Sequence, residues 1–276
     1  MKPRYERPVI VRHALGGTNK FGAMPAIRPV TSFEGVPLDA LVREYGSPLF
    51  LFSERILRDR VRELRDQMSR RFADFSLAWS YKTNYLGAIC RVFHQEGAWA
   101  EVVSGMEMRK ALQAGVPGAQ IIFNGPHKTR ADLQTAFQQK VRVHIDHLDE
   151  LALAEQVAEE LGVVPEVGIR VNLSDIPVPA WDRFGFNLEG GRALEAARRL
   201  ARGRKLELRA LHCHIGTFIL DPDAYRLAAR GIARLANQLD RELGIRIDTV
   251  DLGGGFASYN TLLGQYLPGE EVTPSL

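Results

Sequence analysis

From Pro48 onward, short apolar runs alternate with longer stretches in which apolar residues return every three or four positions. The runs cover residues 49–52, 75–80, 99–103, 121–123, 141–145, 166–171, 206–212 and 246–252. Short, nearly continuous apolar runs read as strands buried on both faces. The stretches between them, 54–72, 86–96, 106–114, 130–138, 149–161, 193–202 and 224–243, carry helical spacing. Ser53 is placed to cap the first of these helices, and Gly115, Gly162 and Gly244 to close three others. Strands alternating with helices of this length predict βαβ units and a parallel sheet. About seven such units in series suit a (β/α)8 barrel better than a doubly wound sheet. Residues 1–47 are irregular and rich in Pro and Gly, with a short helix expected over 37–45.

Each predicted strand ends in polar residues or glycine: Lys82, Ser104-Gly105, Asn124-Gly125, Asp146, Arg170 and Asn172, His212 and His214, and Gly253-Gly254-Gly255. A barrel would bring these ends to one mouth, where barrel active sites lie.

A chain of 276 residues that is 45% hydrophobic supports one large domain or two modest ones. Its net charge of +3, from 36 basic and 33 acidic residues, is too balanced to point to nucleic acid or a membrane. The basic cluster from Arg198 to Lys205 reads as a solvated helix end. Two cysteines, Cys90 and Cys213, make no disulfide framework and fit a reducing, cytoplasmic setting. The N-terminus has no apolar signal-peptide core, and no run approaches the roughly 18 apolar residues of a membrane span.

Chemistry concentrates at the strand ends. Tyr81-Lys82-Thr83-Asn84 places a lysine after a buried strand, where burial pushes an amine toward the neutral, nucleophilic form that makes a Schiff base. Asp251-Leu252-Gly253-Gly254-Gly255 follows a strand, so its backbone N–H groups suit an anion such as phosphate; a bare tight turn is the other reading. His212-Cys213-His214-Ile215-Gly216-Thr217 allows three readings. They are a zinc-binding pair with no third ligand nearby, a histidine stacked on a planar cofactor with Thr217 at its phosphate, and a hydrogen-bonded core histidine. Ser104 and Glu107 have the spacing of a helix cap, with Glu101 six residues before Glu107. In His144-Ile145-Asp146-His147-Leu148-Asp149-Glu150, the last two acids suit a helix start better than a metal.

Taken together, these motifs resemble the fold-type III pyridoxal-phosphate enzymes, in particular the diaminopimelate, ornithine and arginine decarboxylase group. The resemblance runs from Glu34-Gly35-Val36-Pro37 and Tyr45-Gly46-Ser47-Pro48 through Lys82, Glu101–Gly105, Ile121–Gly125 with Lys128-Thr129, and Gly168–Asn172. It continues through Arg183-Phe184-Gly185 and His212–Gly216 to the glycine run. It implies an alanine-racemase-like barrel over residues 47–276, with residues 1–46 serving a β-domain that lies beyond this chain. It also implies pyridoxal 5'-phosphate as cofactor, held by Lys82 as a Schiff base, with His214 stacked on the ring. Thr217 and Gly253, Gly254 and Gly255 would bind the phosphate, and Arg170 would lie near the phenolic oxygen. Glu101 and Thr217 stand where the decarboxylases usually carry Asp and Ser, each keeping its functional group. The implied reaction is loss of an amino acid's α-carboxylate, from a diamino or basic substrate such as meso-diaminopimelate, in a homodimer. A racemase, a cofactor carrier of the same fold and a non-catalytic fragment needing a partner chain are the alternatives. The family's last barrel strand, its acid at the pyridine nitrogen, its arginine-bearing phosphate loop and its β-domain are expected after residue 276.

Overall fold

Seven parallel strands, each neighbour to the next in chain order, form the centre of a computed structural model that describes residues 30–257 and two short strands before them. Those two, β1 (Thr18–Asn19) and β2 (Gly22–Ala23), pair antiparallel. The chain divides into two units at Ser53. In the first unit, β3 (Ser32–Phe33) and β4 (Val36–Pro37) form a hairpin that leads into α1 (Leu38–Tyr45). The expected strand over 49–52 does not form. Its residues pair with no described strand, and Phe50 is 88% exposed. An apolar run becomes a strand only where a ladder partner takes up its N–H and C=O groups.

The second unit opens with α2 (Glu54–Ser69) and then alternates regularly. β5 (Ala78–Ser80), α3 (Gly87–Gln95), β6 (Trp99–Val102), α4 (Gly105–Gln113) and β7 (Ile121–Phe123) come first. α5 (Arg130–Gln138), β8 (Arg142–Ile145), α6 (Leu148–Leu161) and β9 (Glu166–Asn172) follow. The short β10 (Phe186–Asn187), α7 (Arg192–Gly203), β11 (Glu207–Cys213), α8 (Pro222–Leu243) and β12 (Thr249–Asp251) complete it. The sheet order is β12-β11-β9-β8-β7-β6-β5, with β10 pairing β9. The sheet curls into a half-barrel rather than closing. β5 and β12 are its outer strands, and both are shorter than their apolar runs because an outer strand has one partner to define it.

The inner strands are buried on both faces, β7 as an unbroken Ile-Ile-Phe run and β8 and β9 with Val and Ile between buried polar residues. Ala100, Phe123, Val143, Ile145, Ile169 and Leu211 meet Met108, Leu133, Leu151 and Leu239 from the helices in one core. Each large side chain so buried contributes roughly 1.5–3 kcal/mol of transfer free energy. Left-handed Gly162 and Gly244 close α6 and α8 as the sequence predicts. The basic cluster lies among acidic residues of neighbouring helices, with Arg198–Glu242 at 3.0 Å, Arg199–Glu155 at 2.7 Å and Lys205–Glu159 at 2.6 Å. Both cysteines are buried and free. Among the described residues, no helix is long and apolar enough to cross a membrane.

Candidate active site

Parallel register carries the predicted residues to one edge of the sheet. Ser80 pairs with Glu101, Arg170 with His212, and His212 with Asp251. Lys82 therefore follows the end of β5, Glu101 lies near the end of β6, Arg170 near that of β9, and His214 just past β11. Lys82 is exposed at this rim, not buried. Topology gives the reason: β5 is an outer strand, with no further described strand beyond it. Thr217 is also exposed, whereas His214 and the three glycines are half-buried. Arg170 and Glu101 are buried.

Electrostatics joins these groups. Burial, then the Lys82 ammonium and the Arg170 guanidinium, hold His214 down to about 4, so its ring is neutral at pH 7. Burial raises Glu107, with Glu101 adding to the rise and Lys82 opposing it. Burial lowers Arg170, against the pull of Asp146, whose carboxylate stands 3.8 Å away, and of Glu101 and Asp251. Glu101 Oε1 is buried without a hydrogen-bond partner. Ser104 caps α4 by accepting from Glu107 N–H, as expected. The Glu107 carboxylate accepts from Val103 N–H at 2.8 Å, one residue before the position a capping box uses.

The glycine turn presses against the segment that carries His214. A Cβ on Gly253 (φ +69°) would fall 2.6 Å from Cys213 O and 3.1 Å from His214 Nδ1. One on Gly255 (φ +89°) would fall 2.0 Å from Gly216 O. Both positions therefore demand glycine on two counts, space and backbone conformation. Gly253 N–H donates to Asp251 Oδ1 at 2.8 Å. The N–H groups of Gly254 and Gly255 donate to no partner among the described residues.

Behind this turn is a buried cluster that sequence reasoning missed. His212 Nδ1 is 2.9 Å from Asp251 Oδ2, though not aligned as a hydrogen bond, and Asn124 Nδ2 lies 2.7 Å from His212 Nε2. The His144 ring stacks on His212 at 5.2 Å, with its Nδ1 3.8 Å from Asp251 Oδ2. Gly168 makes room for it, since a Cβ there would fall 2.5 Å from His144 Cδ2. His144, His212 and Asp251 are the group of three described donors close enough to share a metal. His212 is accounted for without one: Nε2 accepts from Asn124, which leaves the proton on Nδ1, facing the carboxylate. Asp146 and Asn124 were legible as polar strand ends, and Asp251 as the first residue of the glycine motif. Trp181 left no signal beyond standing two residues before the Arg183-Phe184-Gly185 motif. Its ring meets His214 edge-on at 6.0 Å, and Arg183 lies 4.6 Å over it.

Burial, followed by the His212 ring, holds His144 down to about 3 in the folded protein. The unfolded chain binds a proton there near the ordinary value of 6.5. Its contribution to stability is therefore complete above about pH 6.5 and is lost as the pH falls toward the folded value. Between about pH 6.5 and pH 4.5 that loss is roughly 2–3 kcal/mol. His144→Asn cannot take up this proton, so its urea-unfolding free energy should decline less over that interval. Equal declines in both proteins would refute the assignment.

Residues 58–272 match the family described as the pyridoxal-dependent decarboxylase, pyridoxal binding domain. The chain belongs to that family. It is 31% identical over 258 residues to a diaminopimelate decarboxylase of Corynebacterium efficiens, covering 90% of this chain and 55% of the relative. A diaminopimelate decarboxylase of Zymomonas mobilis is 32% identical over 232 residues, covering 80% of this chain and 54% of the relative. The crystal structure of diaminopimelate decarboxylase from M. jannaschii in co-complex with L-lysine superimposes with a TM-score of 0.75 at 26% identity. That superposition covers 87% of this chain and 58% of the M. jannaschii chain. The chain thus spans about half the length of the curated relatives it matches.

The family's cofactor, pyridoxal phosphate, fits the residues present. The glycine cradle that a Cβ would fill offers an anion two N–H groups without a partner among the described residues, and Glu101 Oε1 is a buried acceptor likewise without one. An amine at Lys82 stands at the same rim as a neutral, planar His214 ring.

Proposed function

We propose that this chain carries the cofactor-binding barrel of a pyridoxal-phosphate-dependent amino-acid decarboxylase, and that its substrate is a diamino acid, first of all meso-diaminopimelate. The observation that carries the reading is the gathering of Lys82, Arg170 and Glu101 around the neutral His214 ring and the glycine turn. The diaminopimelate decarboxylases among its relatives support the substrate, as does the L-lysine in the M. jannaschii complex. L-Lysine is what remains when meso-diaminopimelate loses one carboxylate.

In this reading Lys82 would hold the cofactor through its amine, a nucleophile suited to a carbonyl group. Pyridoxal phosphate, when bound, supplies the sink for the electron pair left by the departing carboxylate. His214 offers a flat, uncharged face for stacking and brings no competing charge to the ring. Gly254 and Gly255 present N–H groups to the phosphate, with Thr217 beside them; Gly253 serves through its conformation, since its N–H is taken by Asp251. Arg170 brings a fixed positive charge toward the ring's oxygen, and Glu101 a carboxylate acceptor. Residues 1–46 serve a domain other than the barrel of residues 47–276, and the working form is a homodimer.

The test is to incubate the chain with pyridoxal phosphate and meso-diaminopimelate, and to measure carbon dioxide together with L-lysine. Stoichiometric release of both supports the reading. Release of carbon dioxide only from ornithine or arginine would reassign the substrate. Interconversion of stereoisomers without carbon dioxide would make the protein a racemase.

A further inference from the structure

We propose that Asp251 is a positioning residue that sets the glycine turn for the cofactor's phosphate. The inference rests on the reading of Gly254 and Gly255 as the phosphate donors. The turn is held at three points. Asp251 Oδ1 accepts Gly253 N–H at 2.8 Å, Tyr225 Oη donates to Gly254 O at 3.2 Å, and Ile219 N–H donates to Gly255 O at 2.9 Å. These contacts consume one N–H and two carbonyls, and the Gly254 and Gly255 N–H groups have no partner among the described residues. Of the three, only the Asp251 contact acts on the first glycine, where the chain turns into φ +69°.

Asp251 is itself fixed from the other side. Strand register places it beside His212, so that its Oδ2 lies 2.9 Å from His212 Nδ1. Burial alone would raise this carboxyl, but His212, His144 and the Gly253 N–H outweigh it and hold it below the ordinary carboxylate range. The side chain thus stays ionised, with Oδ1 accepting Gly253 N–H and Oδ2 close to the His212 ring. A carboxylate bonding the backbone two residues ahead is a local turn lock. Here the sheet orients that lock through a second strand.

A turn lock should matter for phosphate and not for the rest of the cofactor, which provides the test. Pyridoxal phosphate and pyridoxal are titrated separately into the chain, and the ratio of their dissociation constants reports the contribution of the phosphate. Asp251→Leu removes both carboxylate oxygens while keeping a side chain branched at the same atom. It should cut the preference for pyridoxal phosphate about tenfold or more, with pyridoxal binding held within about twofold. Asp251→Asn keeps an oxygen for Gly253 N–H and should keep the preference within about threefold of wild type. Asp251→Ala replaces the leucine variant if that one does not fold. An unchanged preference on removal of the carboxylate overturns the proposal. Equal weakening of both ligands also overturns it, as the mark of a general structural loss, and so does loss of the preference in Asp251→Asn. If the wild-type chain binds both ligands equally, the glycine-turn reading falls first, and the proposal with it.

Discussion

Borohydride reduction of the chain incubated with pyridoxal phosphate is expected to fix a pyridoxyl group on Lys82, and Lys82→Ala should carry no adduct there. Three other described lysines are occupied otherwise. Lys128 is buried in an ion pair, Lys205 pairs with Glu159, and the Lys110 ammonium lies 5.0 Å over the Tyr85 ring. Lys82, among the described lysines, is exposed and is the one whose charge acts on the His214 ring. Exposure at the rim lets a substrate amine reach the same position. Where the protein turns over substrate, Lys82→Ala should lower kcat on the order of 10⁴-fold, as removal of a covalent catalytic group does. Peptide mapping by mass spectrometry reads the first result. Adducts spread evenly over the surface lysines would sink the assignment, as would a Lys82→Ala protein that retains a site-specific adduct.

The largest stability effect is expected from the pair Lys128–Glu150. Their side chains are 0% and 2% exposed, and the charged atoms stand 2.6 Å apart. Every Lys128 proton has an acceptor: Gly125 O at 2.6 Å, His144 O at 2.7 Å and Glu150 Oε1. Glu150 Oε2 accepts Asp146 N–H at 2.6 Å. One ammonium thus ties the loop after β7 to the end of β8 and the start of α6. It also fixes the residue whose carboxylate faces Arg170. Burial alone lowers Lys128, which shows how much the cation relies on these partners. Removing one partner leaves the other charge stranded in the core. Lys128→Met and Glu150→Gln should each destabilise the chain by about 3–5 kcal/mol. The double replacement by Met and Leu should cost clearly less than the sum of the singles, because no charge is then left behind. Urea unfolding of the four proteins measures this cycle. Single variants within about 1 kcal/mol of wild type would show that the pair carries little.

This pair also marks a limit of sequence reading. Glu150 looked like a helix-start acid, and the first turn of α6 does contain it. Nothing local distinguished it from Asp149 beside it, which carries no comparable partner among the described residues. The difference is a lysine 22 residues earlier that reaches it only because β7 and β8 are adjacent.

The alternation of apolar runs and helical spacing determined the parallel sheet, nearly every helix and the edge where the site lies. Those features depend on local periodicity and on the one-way order of βαβ units, both of which are written along the chain. Lys82, His214 and the glycine run were legible for the same reason, since each is a short motif at a strand end. Residues 49–52 misled because a periodic run says nothing about whether a partner strand exists. The exposure of Lys82 and the trimming of β5 and β12 followed from which strands are outermost, a property of the sheet and not of any segment. Tertiary structure alone decided the cluster of Asn124, His144, His212 and Asp251, gathered from β8, β11, β12 and the loop after β7. Register on the neighbouring strands β11 and β12 brings His212 within 3 Å of Asp251, with a whole crossover helix between them in sequence, while Asn124 meets His212 across two intervening strands of the curled sheet.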